Sequence, residues 1–216
     1  MTKTLQPVAA LFDFDGVVVD TESQYSKFWE KQGKLYHPDM PDFATCVKGT
    51  TLMQIFDLYF NGMKNVQEQI REELTRFEQQ MKFPYIEGII DFLIELRQNN
   101  VQLAVVTSSD RIKMESAFSA LPELHQLFDQ ILMAEDFVRS KPFPDCYLLG
   151  SKIFQTPPSN CFVFEDSFNG LKAGNEAGMT VIGLSTTNPP EKIKPLASTV
   201  IPNFKDFTYK QMMALL

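Results

Sequence analysis

LFDFDGVVVDTE, residues 11–22, carries an apolar run into a glycine turn through two carboxylates, Asp13 and Asp15. From Val8 to Phe14 the chain is mostly apolar and bounded by Pro7 and Gly16, the pattern of a buried strand. Solubility does not require acids at the end of such a strand. They either cap a turn or hold something that water alone would not.

Working outward, Thr21 has the residue type and position of a helix N-cap, with Tyr25, Phe28 and Trp29 at helical spacing beyond it. Residues 38–83 read as amphipathic helix, clearest in TLMQIFDLYF and VQEQIREELTRFEQQM. Then the pattern changes. A helix over 88–98 stops at Asn99-Asn100, and the strand VQLAVVT runs into Ser108-Ser109-Asp110. A helix over 111–121, a strand over 130–134 and a helix over 146–154 follow. CFVFED, a helix over 171–177, the strand MTVIGL and a last strand over 199–201 complete the alternation. Strand and helix in turn predict an α/β fold around a Rossmann-like parallel sheet. The helical stretch interrupts it, which predicts a core of residues 1–19 and 85–216 and an α-helical cap of residues 20–84.

In open parallel sheets ligands bind beyond the carboxyl ends of the strands. Three strands here end in polar groups: Asp13 with Asp15, Thr107 with Ser108, and Glu165 with Asp166. A loop lysine, Lys141, lies between the second and third. Each has a bland reading as a turn, a cap or a solvated charge; their common placement at strand ends favours one site. An oxygen-only acidic cluster suits Mg2+, a hard cation. A carboxylate can act as a nucleophile, a lysine and hydroxyls can hold phosphoryl oxygens, and a second acid can protonate a leaving alkoxide.

The 216 residues suffice for one sizeable core and a smaller unit. A formal charge of −7 argues against non-specific nucleic-acid binding. No stretch has the length of a membrane span and no targeting segment is visible, so a cytoplasmic protein is expected. Nothing suggests a coiled coil or a broad apolar stripe, so a monomer is expected. Cys46, Cys146 and Cys161 are odd in number and far apart, and His37 and His125 add no ligand spacing. The 19 phenylalanines point to no chemistry.

Asp13-Phe14-Asp15-Gly16-Val17, Thr107-Ser108-Ser109, Lys141 in SKPFPDCY, and Glu165-Asp166 in EDSFNGLKAGNEAGM resemble the four motifs of the haloacid dehalogenase-like hydrolase superfamily, in order. The branch it is most similar to holds phosphoglycolate phosphatase and beta-phosphoglucomutase. The resemblance implies that Asp13 attacks phosphorus and that Asp15 moves protons. It implies Mg2+ held by Asp13, the backbone carbonyl of Asp15 and Asp166, with Glu165 supporting it through water. Thr107, the Ser108 backbone and Lys141 would hold the phosphoryl group of a small phosphorylated metabolite. Residues 16–20 resemble the family's mobile turn between core and cap.

Among the chemistries of that superfamily, dehalogenation has no use for an acid at residue 15, because a departing halide needs no proton. Phosphonate cleavage needs a desolvated cap lysine, and nothing marks Lys27, Lys31 or Lys34 as one. A mutase carries a His shortly after its Asp-Thr pair and an Arg near a cap Lys-Gly. Neither follows Asp20-Thr21 or Lys48-Gly49 here. A non-catalytic member would be expected to have lost Asp13, Asp15 or Asp166. The expectation is a phosphatase acting on a sugar phosphate or similar ester, with a phosphomutase as the alternative and a non-catalytic binding protein behind it. Lys48, Lys64, Arg71, Arg76 and Lys82 are candidates to meet a second anionic group, with Arg76 favoured because it lies near the return to the core.

Overall fold

The computed structural model describes residues 7–48 and 50–216. Residues 1–6 of the expected core and Gly49 of the expected cap lie outside them. Strand β1 (Ala9–Phe12) is followed by helices α1 (Glu22–Tyr36), α2 (Phe43–Cys46), α3 (Leu52–Tyr59), α4 (Lys64–Glu78) and α5 (Ile89–Gln98). Then come β2 (Gln102–Val106), α6 (Arg111–Ala120), α7 (Leu124–Leu127), β3 (Gln130–Leu132) and α8 (Asp145–Ile153). The chain closes with β4 (Cys161–Glu165), α9 (Phe168–Glu176), β5 (Thr180–Leu184), α10 (Pro190–Ile193), β6 (Thr199–Ile201) and α11 (Tyr209–Met213).

The six strands form one parallel sheet in the order β3-β2-β1-β4-β5-β6. The apolar run of β1 is continuous because both faces of the strand are covered. Ala10 and Phe12 enter one core with Leu103, Val105, Phe162 and Phe164 of the adjoining strands. Ala9 and Leu11 enter the other with Ala104, Val106 and Val163. The many phenylalanines belong to this packing: Phe12 stacks on Phe164 with ring centroids 4.4 Å apart, and Phe92, Phe128 and Phe204 surround the pair.

Helices α1 to α4 bury a third cluster, including Phe28, Trp29, Phe43, Phe56, Phe60 and Ile70. The chain leaves and re-enters the sheet side by side. Asp20 donates its amide to the Pro84 carbonyl and Ile86 to that of Val18, at 2.8 and 3.0 Å. No helix among the described residues is long and apolar enough to cross a membrane.

Three local expectations need correction. The first strand stops at Phe12, two residues short of the expected Phe14, although the Asp13 amide still bonds the Phe164 carbonyl at 3.0 Å. The helix expected at Leu171 starts at Phe168, because the Ser167 hydroxyl accepts the Gly170 amide as an N-cap. Thr21 sits at the N-cap position of α1 but does not cap it. Its hydroxyl is donated to Asp15 instead, since an ionised carboxylate accepts a hydrogen bond more strongly than a hydroxyl can from an amide.

Candidate active site

The sheet order reverses at β1, with β2 on one side and β4 on the other. Their carboxyl ends therefore open into a common crevice, the place where such sheets bind ligands. A cavity of about 510 Å³ lies there, lined on the sheet side by Asp13, Asp15, Thr107, Ser108, Lys141 and Asp166. Those six, chosen on sequence, are brought together. On the opposite side α1, α3 and α4 contribute Glu22, Tyr25, Trp29, Ile55 and Leu74.

Lys141 is the hub of the sheet side. Its side chain is 5% exposed, and its Nζ donates to Asp13 Oδ1 at 2.7 Å, Glu165 Oε1 at 2.7 Å and the Val106 carbonyl at 2.9 Å. Glu165 is fully buried. Its Oε1 also accepts the Tyr147 hydroxyl at 2.9 Å. Its Oε2 accepts the Asp166 amide, the Ser167 amide and the Ser167 hydroxyl, each at 3.0 Å. Five donors on two oxygens make Glu165 the anchor of Lys141 and of the Asp166 loop, ahead of the metal support expected of it. Asp166 accepts the Thr187 hydroxyl, and its carbonyl accepts Asn188 Nδ2 at 2.9 Å.

Asp15 faces a different set of donors. Oδ1 accepts the Thr21 hydroxyl, and Oδ2 accepts the Ser109 hydroxyl at 2.9 Å and Lys113 Nζ at 2.5 Å. Burial by itself would raise its pKa, but the Lys113 ammonium and the three hydrogen bonds outweigh it and hold the carboxyl below the usual range. Asp13 goes the other way. Burial, helped by the Glu165 and Asp15 charges and only partly offset by Lys141, pushes it up to about 7. Burial and two acidic neighbours, Glu165 and Asp13, push Asp166 well above the carboxylate range.

Asp13, Glu165 and Asp166 can bring one oxygen each within 4.8 Å of one another. Three carboxylates against the single ammonium of Lys141 leave negative charge that burial disfavours. An oxygen-only donor set with this charge fits a hard divalent cation such as Mg2+. Gly16 makes room for the Asp166 carboxylate: at φ +76° it takes a left-handed conformation, and a Cβ there would lie 2.0 Å from Asp166 Oδ2.

The expectation for Arg76 is wrong. Its side chain is 67% exposed, pairs with Glu72 at 3.7 Å and does not line the cavity. The fourth helix turns that face to solvent and presents Arg71 instead, five residues earlier. Arg71 and Lys48 line the cavity, whereas Lys64 and Lys82 do not. Lys27, Lys31 and Lys34 do not line it either.

Sequence reasoning missed Lys113, Tyr147 and the Thr186-Thr187-Asn188 segment. The last could have been found, because it is a polar cluster directly after β5, like those after β1, β2 and β4. Thr186 donates its hydroxyl to the Gly16 carbonyl at 2.6 Å, so it fixes the turn between the two acids and the helices.

The family model of the haloacid dehalogenase-like hydrolases matches residues 10–184. Validoxylamine A 7'-phosphate phosphatase of Streptomyces hygroscopicus subsp. limoneus is 30% identical over 191 residues, 85% of this chain and 88% of that protein. A probable pseudouridine-5'-phosphatase of Drosophila melanogaster is 28% identical over 220 residues, covering 97% and 95%. A crystal structure of a HAD hydrolase, family IA, variant 3, from Entamoeba histolytica superposes with a TM-score of 0.82 at 23% identity, covering 96% and 98%. The chain belongs to the haloacid dehalogenase-like hydrolase family.

Proposed function

We propose that the chain is a Mg2+-dependent phosphatase that hydrolyses a small phosphate monoester, a sugar phosphate or similar metabolite, through a phospho-aspartate at Asp13. One observation carries the reading: the Asp13–Lys141 pair and Thr107 meet the separately held Asp15 in a single cavity. The phosphatase names of its relatives support it.

In this mechanism an oxygen of Asp13 attacks phosphorus and the bond to the leaving oxygen breaks. Asp15 gives that oxygen a proton. The Asp15 carboxylate then takes a proton from the water that attacks the phospho-aspartate, releasing inorganic phosphate and restoring Asp13. The Lys113 ammonium and the hydrogen bonds to Asp15 draw its pKa down, which favours the base form that the second half requires. Lys141, Thr107 and the Ser108 backbone hold the phosphoryl oxygens, and Lys141 lowers the repulsion between Asp13 and an anionic substrate. Mg2+, when bound by Asp13, the Asp15 carbonyl and Asp166, supplies further charge neutralisation at the phosphoryl group. Glu165 acts by holding Lys141 in place.

Helices α1 to α4, with residues 20–84 as their span, act as a cap over the core. Closing about residues 16–20 excludes bulk water and strengthens every charge interaction inside. Neither histidine lines the cavity, so the imidazole that a mutase reading calls for is not supplied. The test is p-nitrophenyl phosphate hydrolysis with Mg2+, with EDTA, and with Mg2+ restored. Turnover that follows the metal supports the reading; no metal-dependent turnover refutes it.

A further inference from the structure

We propose that Lys113 is a positioning residue that fixes the acid–base carboxylate of Asp15 between the sheet and the helical cap. The proposal rests on the reading of Asp15 as the proton-moving group. Lys113 lies on the first turn of α6, whose N-cap Asp110 accepts the Lys113 amide at 3.0 Å. Its side chain is only 6% exposed, unusual for a lysine. Its Nζ is 2.5 Å from Asp15 Oδ2 and 4.7 Å from the centroid of the Tyr25 ring on α1. The Tyr25 hydroxyl in turn donates to Glu78 Oε1 on α4 at 2.7 Å. One buried ammonium thus links a sheet-end carboxylate to two helices of the cap.

Burying a cation is costly unless it is paired. The Asp15 oxygens already accept a hydroxyl each, from Thr21 and Ser109. Lys113 therefore adds charge and orientation beyond hydrogen-bond satisfaction. Thr21 on one oxygen and Lys113 on the other orient the carboxylate. The ammonium also lies over the aromatic ring of Tyr25, which ties the position of α1 to Asp15.

A group that acts through Asp15 should matter most where proton delivery matters most. An alkyl phosphate leaves as an alkoxide and needs a proton, whereas p-nitrophenyl phosphate leaves as a stable phenolate. The experiment measures kcat/KM with Mg2+ for glycerol phosphate and for p-nitrophenyl phosphate in wild type, Lys113→Met, Lys113→Gln and Lys113→Arg. The ratio of alkyl to aryl kcat/KM should fall about tenfold or more in Lys113→Met and Lys113→Gln, and Lys113→Arg should recover most of it. If Lys113→Met fails to fold, Lys113→Gln makes the same comparison. Parallel losses on both substrates, or an unchanged ratio, overturn the proposal while leaving the phosphatase reading intact. No turnover by wild type on either ester refutes both.

Discussion

Gly170 occupies the third position of α9, where ordinary helix propensity favours alanine over glycine by about 0.5–1 kcal/mol. The surroundings reverse that preference. A Cβ on Gly170 would lie 1.7 Å from Oε1, 1.8 Å from Cδ and 2.3 Å from Oε2 of Glu165. Glu165 is fully buried and has no solvent to rotate into. Displacing it separates its Oε1 from Lys141 and Tyr147 and its Oε2 from the Asp166 and Ser167 donors. Breaking one partner out of a buried ion pair costs about 3–5 kcal/mol. Offset by a propensity gain of about 1 kcal/mol, the net loss for Gly170→Ala is about 2–4 kcal/mol. For a chain of this size that lowers Tm by about 5–15 °C. Urea titration and a thermal melt measure the stability, and kcat/KM on p-nitrophenyl phosphate reports the freed Lys141. In a Gly174→Ala control the nearest atoms to the added Cβ are Val181 and Val163 side chains, so it should not share the loss of turnover. A Gly170→Ala protein as stable and as active as wild type would falsify the role given to Glu165.

Two further predictions follow from the cavity and its charges. Arg76→Ala should leave kcat/KM within about twofold, because an exposed i,i+4 pair contributes under about 1 kcal/mol; Arg71→Ala, on the lining, should raise KM for the physiological ester, and the reverse pattern contradicts the orientation of α4. Because burial raises Asp13 to about 7, protons should compete with Mg2+ at acid pH. A carboxyl with that pKa is mostly protonated at pH 6 and mostly ionised at pH 8, so apparent Mg2+ affinity should tighten by at least about tenfold between them, the raised Asp166 adding to the change. Calorimetric titration at the two pH values checks it, and equal affinities contradict the placement of Asp13 on the metal.

How much of this was legible in the sequence depended on the range of the interaction. The strands were readable because both faces are buried and Ala9 to Phe12, Leu103 to Val106 and Cys161 to Phe164 are almost unbroken apolar runs. That Asp13, Thr107 and Asp166 meet in one cavity was readable because a parallel sheet brings its strand ends together, whereas Lys141, on the loop before α8, was readable only through its motif. Lys113 was not, because a lysine on an amphipathic helix is nearly always solvated, and only packing against Asp15 and Tyr25 marks this one. Arg76 was misread for the converse reason. Its nearness in sequence to the return to the core says nothing about helix phase, and α4 turns it outward. Thr21 shows a local signal overridden: a good capping residue spends its hydroxyl on a carboxylate six residues earlier.

The most direct measurement of the central claim is covalent. Asp15→Asn should still let Asp13 attack p-nitrophenyl phosphate, whose phenolate needs no proton, but it removes the base for the second half. Rapid mixing with Mg2+ should show a burst of nitrophenolate followed by slow turnover. Acid quench and peptide mass analysis should then find one phosphoryl group on Asp13. A burst with the phosphoryl group on any other residue, or turnover with no phosphorylated peptide at all, contradicts Asp13 as the nucleophile.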